Sequence, residues 1–177
     1  NYSCPNVKEG GLTFSASAKV AEDVTVRVRK ITNRPVIVKL TPNVTSISEI
    51  GKAVENGGAD ALSAINTLVG MAVDLKMKKP KLSTVTGGLS GPAIKPVALA
   101  KVHELIKNVS IPVVAIGGIS TAEDALEFLL LGAVAVQVGT ANFMNPKAPL
   151  DVLNGIIDYC AQNNIQSIKE FTGSMNW

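Results

Sequence analysis

Two cysteines, Cys4 and Cys160, and a single histidine in 177 residues are too few to staple a disulfide scaffold or to assemble a metal site. A reduced, cytoplasmic setting is therefore expected. Aromatic residues make up only 4% of the chain, so the stacking platforms of single-strand binders are absent. A net charge of +3 is too slight to imply a nucleic-acid partner. No apolar run approaches the ~20 residues that span a bilayer, and no signal peptide is visible, so no membrane association is expected. Neither GxGxxG nor GxxxxGK[ST] occurs, which argues against a Rossmann dinucleotide site and a Walker site. Repeats and low-complexity linkers are also missing, and a single domain over residues 1–177 is expected. What remains is 46% hydrophobic and 18% charged, the balance of a folded α/β protein.

Short β-branched runs alternate with amphipathic stretches. Pro35–Leu40 reads as a strand ended by Thr41-Pro42, and Ser46-Ile-Ser-Glu49 as a capping box opening a helix to about Val54. Gly57-Gly58 closes that helix before a strand over Ala59–Ile65. A long connection runs from Asn66 to about Ile94, and Lys95–Lys107 has helical spacing at Ala98, Val102 and Leu105. Ile111–Ile116 is the next strand, followed by Gly117-Gly118. Ser120-Thr-Ala-Glu123 reads as a second capping box for a helix to about Leu131. Ala133–Val138 is the last strand, and Pro149 to about Ala161 the last helix. Apolar strands separated by helices imply a parallel sheet, either doubly wound or part of a (β/α)8 barrel.

Polar and glycine residues cluster just after the strands, where barrel enzymes carry their chemistry. Gly117-Gly118 lies between a strand and a capped helix, and Gly139-Thr140 follows the next strand, so backbone amides can converge on a phosphate. Lys39 places a cation at the end of an apolar strand. It is either a snorkelling strand-end lysine or a charge beside a flavin ring. Asn66-Thr67 offers hydrogen-bonding groups, although asparagine at a strand end is commonly a turn residue. Cys4, between Asn1 and Asn6, is a thiol that could serve as base or nucleophile. Lys76, Lys78, Lys79 and Lys81 form a basic run, read as a solvated loop or as a dock for an acidic partner. His103 reads as solvent-facing, without a chemical role.

The runs Asn1-x-Ser-Cys-Pro-Asn-Val-Lys-x-Gly-Gly11, Val38-Lys-Leu-Thr-Pro-Asn43, Ile65-Asn-Thr67 with Gly70-Met71, Thr86–Pro96, Gly117-Gly-Ile119 and Val136–Phe143 resemble dihydroorotate dehydrogenase, in order along the whole chain. Cys4 sets the resemblance apart from the quinone-linked branch, which has serine there. Val7-Lys8-x-Gly10-Gly11 looks like the NAD-linked heteromeric branch.

The resemblance implies the C-terminal half of a (β/α)8 TIM barrel that binds FMN and oxidises dihydroorotate to orotate in pyrimidine biosynthesis. It implies Cys4 as the base, Asn1, Asn6, Asn66 and Thr67 as pyrimidine contacts, and Asn1, Lys39, Ile65 and Gly91 beside the flavin. Gly117, Gly118, Gly139 and Thr140 would hold its phosphate. It further implies a homodimer within a heterotetramer, with FAD and an iron-sulfur cluster on an electron-transfer subunit. Two departures stand out. Ser15-Ala16-Ser17 replaces a glycine usual after Phe14, and the first half of the family's barrel is not in this sequence, so the 177-residue portion alone is expected to be inactive. The alternatives are a half-barrel that needs a complementary chain, or another FMN-dependent dihydropyrimidine oxidoreductase.

Overall fold

The computed structural model describes residues 1–2 and 17–177. Four strands, β1 (Ile37–Lys39), β2 (Ala61–Ala64), β7 (Val113–Ile116) and β8 (Ala135–Gln137), form one sheet in that spatial order, and every pairing is parallel. Each strand is shorter than its apolar run, although flanking residues such as Leu40 and Ile65 still bond across to the neighbouring strand. Tyr2 N–H donates to Lys39 C=O at 3.1 Å, so the first residues add to the outer side of β1.

The register sorts the side chains. Val38, Leu62, Ala64, Val113 and Ala115 share the buried face, whereas Lys39, Ser63, Val114, Ile116 and Gln137 share the other. The buried face is covered by α2 (Ile47–Asn56), α3 (Lys95–Ile106) and α4 (Ala122–Leu131), which contribute Ile47, Val54, Val102, Leu105 and Phe128 to the core. An additional helix, α1 (Ala18–Ile31), packs on α2. Thr25 on α1 is fully buried, and Tyr2 Oη lies 3.1 Å from its Oγ1. Gly57 is required at this contact, since a Cβ there would lie 2.7 Å from Thr25 Cβ. The long helix α6 (Ala148–Gln162) packs on α4, and the one-turn helices α5 (Ala141–Met144) and α7 (Ile168–Phe171) flank it in sequence.

The connection between β2 and α3 is not irregular. It folds into an antiparallel ribbon in which β3 (Leu68–Met71) pairs with β6 (Thr86–Leu89), and β4 (Val73–Asp74) with β5 (Lys79–Pro80). Lys76, Lys78, Lys79 and Lys81 are all exposed at its far end. A 3-10 turn over Pro92–Ile94 returns the chain to α3.

The two capping readings differ in outcome. Ser46 is the N-cap of α2, its Oγ accepting from Glu49 N–H at 3.2 Å, but the Glu49 carboxylate does not return to the Ser46 amide, so only half of the expected box forms. At α4 the cap is Thr121 rather than Ser120, and the reciprocal acid is Asp124 rather than Glu123. Both pairings have the same spacing. Asp124 prevails because its second oxygen, Oδ1, also accepts from the Lys95 ammonium at 2.7 Å. Accordingly, Thr121→Ala should cost about 1 kcal/mol in denaturant unfolding, as loss of an N-cap does, and Ser120→Ala much less.

Candidate functional site

Parallel pairing carries the carboxyl end of every strand to one rim, and a cavity opens there. Two backbone bonds set the rim's level: Asn66 N–H to Leu40 C=O at 2.9 Å, and Ile65 N–H to Ile116 C=O at 2.7 Å. The walls are Lys39 from β1, Ile65, Asn66 and Thr67 after β2, Ser90, Gly91 and Ile94 from the foot of the ribbon, Ile116–Ser120 after β7, and Gly139–Ala141 after β8. Nine of the residues singled out in the sequence therefore border one space: Lys39, Ile65, Asn66, Thr67, Gly91, Gly117, Gly118, Gly139 and Thr140. Asn1 is not on these walls, and Cys4 and Asn6 lie outside the described residues. His103 does not line the cavity either. It is half-buried rather than solvent-facing, its ring 4.6 Å from that of Trp177.

The glycines of the walls are glycine for different reasons. Gly117 and Gly118 have φ of +137° and +75°, and a Cβ at Gly118 would sit 2.7 Å from the Lys95 backbone nitrogen. Their identity is explained by the fold itself. Gly139 has ordinary φ, and the nearest atom to a Cβ there is Ile116 Cδ1 at 3.9 Å. Nothing within the described chain excludes a side chain at 139, so the bare backbone there faces open cavity.

Amides of the same loops are available. Ser120 and Thr121 N–H, just before α4, donate to Asp124 Oδ2 at 2.9 and 3.0 Å and are therefore already engaged. Among the described residues, the amides of Gly118, Ile119, Gly139 and Thr140 engage no acceptor. The unengaged amides of Gly118, Ile119, Gly139 and Thr140 thus lie in the two loops that follow β7 and β8. Lys39 has no carboxylate within ion-pair distance among the described residues, so its positive charge is uncompensated beside the cavity.

Ser90 is a wall residue that sequence reading passed over. Its Oγ accepts from Thr140 Oγ1 at 2.8 Å, joining the end of the ribbon to the loop after β8. Only its place in the Thr86–Pro96 run hinted at it. Lys95 and Asp124 lie behind the Gly118 loop. Burial pushes the Asp124 carboxyl up, but the Lys95 ammonium and the amides of Ser120 and Thr121 together outweigh it and hold the acid below its usual range. Asp124, followed by Glu127 at 2.9 Å, raises the Lys95 ammonium above its usual range.

Known proteins match this chain along nearly its whole length. A family model described as dihydroorotate dehydrogenase matches residues 1–159. The chain is 56% identical over 175 residues to a protein of Alkaliphilus oremlandii named dihydroorotate dehydrogenase B (NAD(+)), catalytic subunit, covering 99% of this chain and 58% of that protein. Proteins of the same name from Alkaliphilus metalliredigens and Geotalea daltonii are 54% and 53% identical, covering 99% of this chain and 58% and 57% of their own lengths. The chain thus spans somewhat over half the length of the curated relatives it matches. A crystal structure of DHODH in complex with ferulenol from Eimeria tenella superposes with a TM-score of 0.78 at 24% identity, over 98% of this chain and 52% of that one. The α/β fold is therefore that of a partial barrel of this type.

The Lys95–Asp124 pair sets a pH dependence. A carboxyl lowered by folding stabilises above its unfolded value of 3.8 and ceases to as pH falls through its lower folded value. The difference in Tm between the parent protein and Asp124→Asn should be full at neutral pH and shrink below 3.8, as followed by thermal unfolding across an acid series.

Proposed function

The chain belongs to the dihydroorotate dehydrogenase family, and on that premise we propose that it is the C-terminal part of the catalytic subunit of an FMN-dependent, NAD-linked dihydroorotate dehydrogenase. The observation that carries this reading is the gathering of Lys39, Asn66, Thr67, Gly117, Gly118, Gly139 and Thr140 on one cavity at the carboxyl rim of a parallel sheet. The reaction would be oxidation of dihydroorotate to orotate, a step of pyrimidine biosynthesis.

The residues present fit FMN. The open space where a Cβ at Gly139 would go, together with unengaged amides at Gly118, Ile119, Gly139 and Thr140, suits the close approach of a phosphate. Lys39 suits a ring system that gains negative charge, and Ile65 and Gly91 offer an apolar edge and a bare backbone. The flavin, when bound, supplies the acceptor for the substrate's hydride.

The chain's own residues carry the rest. Cys4 Sγ takes the proton that leaves dihydroorotate. A free thiol has a pKa of about 8.5, so modest tuning provides thiolate near neutral pH. Asn1, Asn6, Asn66 and Thr67 hold the pyrimidine by amide and hydroxyl hydrogen bonds, with Asn1 also near the flavin. Neutral donors and acceptors suit a substrate whose ring edge alternates N–H and C=O.

The name shared by the relatives, catalytic subunit, supports a partner that relays electrons to NAD. FAD and an iron-sulfur cluster are assigned to that partner, and a homodimer of the present subunit to the centre of a heterotetramer. Among the described residues no helix is long and apolar enough to cross a membrane, and we assign the assembly to the cytoplasm.

Two measurements on the full-length subunit test this reading. Gly139→Val should weaken FMN binding by at least about tenfold, read by flavin absorbance, with apo-protein Tm unchanged. Equal affinity would remove the phosphate assignment. Cys4→Ala should retain FMN yet slow its reduction by dihydroorotate by at least about a hundredfold, and Cys4→Ser should retain activity that rises toward higher pH. Full-rate reduction by Cys4→Ala would assign the proton to another group.

A further inference from the structure

We propose that Asn43, in the loop after β1, is a positioning residue that holds the Asn66–Thr67 corner in its substrate-binding form. The proposal rests on the reading of Asn66 and Thr67 as pyrimidine contacts. The Asn43 side chain spans the corner where the chain leaves β2 for the ribbon: its Nδ2 donates to Thr67 C=O at 2.9 Å, and its Oδ1 accepts from Val69 N–H at 3.0 Å. The second hydrogen of Nδ2 goes to Thr41 Oγ1 at 2.9 Å, and Asn43 N–H donates to the same oxygen at 3.2 Å.

Both donors and the acceptor of the amide are thus used, and Thr41, which is 1% exposed, fixes the plane in which they point. Aspartate could keep the bond from Val69 and accept one from the Thr41 hydroxyl, but it has no hydrogen to donate to Thr67 C=O. On its other side the Thr67 side chain abuts Gly88 of β6, where any Cβ would collide with it. Thr67 is therefore held on its carbonyl by Asn43 and along its side chain by the ribbon. With the corner released, Asn66 and Thr67 would have to be ordered by the substrate itself, at the expense of affinity. The cofactor walls at Gly117–Gly118 and Gly139–Thr140 stand on β7 and β8 and do not depend on this amide.

The test uses the full-length holoenzyme and compares Asn43→Ala and Asn43→Asp with Thr67→Ala. The readouts are FMN affinity, orotate affinity from its perturbation of the flavin spectrum, and KM and kcat for dihydroorotate. The expected result for both Asn43 variants is an orotate Kd and a KM raised about tenfold, with FMN affinity and kcat within about threefold of the parent. A parallel loss of FMN and orotate binding would mark a merely structural residue and overturn the proposal. Unchanged orotate affinity in both Asn43 variants, with Thr67→Ala impaired, would overturn the proposal and leave the substrate site standing. Unchanged affinity in Thr67→Ala as well, or no orotate binding by the parent, would overturn the substrate assignment and the proposal together.

Discussion

The parallel ladder of β1, β2, β7 and β8 is the interaction on which the other features depend. Parallel strands must all end on the same side, so loops far apart in sequence are delivered to one rim without contacting each other along the way. The registers Lys39 with Ser63, Ser63 with Val114, and Ile116 with Gln137 decide more than proximity. A slip of one residue would turn Lys39 toward the helices and bring Val38 to the rim's open face. The burial of Leu62, Val113 and Ala115 under α2, α3 and α4 opposes that slip, and through it guards the position of the Lys39 cation.

The rim is held by neighbours that never face the cavity. Lys95 packs against Gly118 and reaches Asp124, which in turn grips the amides of Ser120 and Thr121. Acid, base and cap form one unit behind the loop. That unit engages the Ser120 and Thr121 amides and leaves those of Gly118 and Ile119 before them as donors. A charged pair with side chains 24% and 15% exposed gains specificity of geometry more than raw stability, because desolvation offsets much of the attraction.

The α/β part was legible because its signals are strong and local: apolar runs such as Val36–Leu40, closing glycines, and caps such as Ser46. Strand-end residues could be proposed for chemistry because a parallel sheet makes strand end and shared rim nearly synonymous. The ribbon was not legible. Its four strands are two to four residues long, contain Gly70, Gly87, Gly88 and Pro80, and lack alternation. Val85 adopts φ of +68°, a conformation that a reader of sequence reserves for glycine. The cap of α4 was misplaced by one residue because Ser120–Glu123 and Thr121–Asp124 are equivalent in spacing, and only Lys95, distant in sequence, distinguishes them. His103 was placed in solvent for want of any sign that Trp177 packs on it.

The ribbon departs from the rim at Thr67 and returns at Ser90, and both feet stand on walls of the same cavity. Ser90 is clasped to Thr140, Asn43 holds Thr67 and Val69, and among the described residues the strand pairing beyond these points is local to the ribbon. Its span is thus decoupled from the register of the sheet. Among the described residues, a change in the length or charge of the tip around Asp74–Lys81 would therefore leave the feet, and the cavity walls they form, in place.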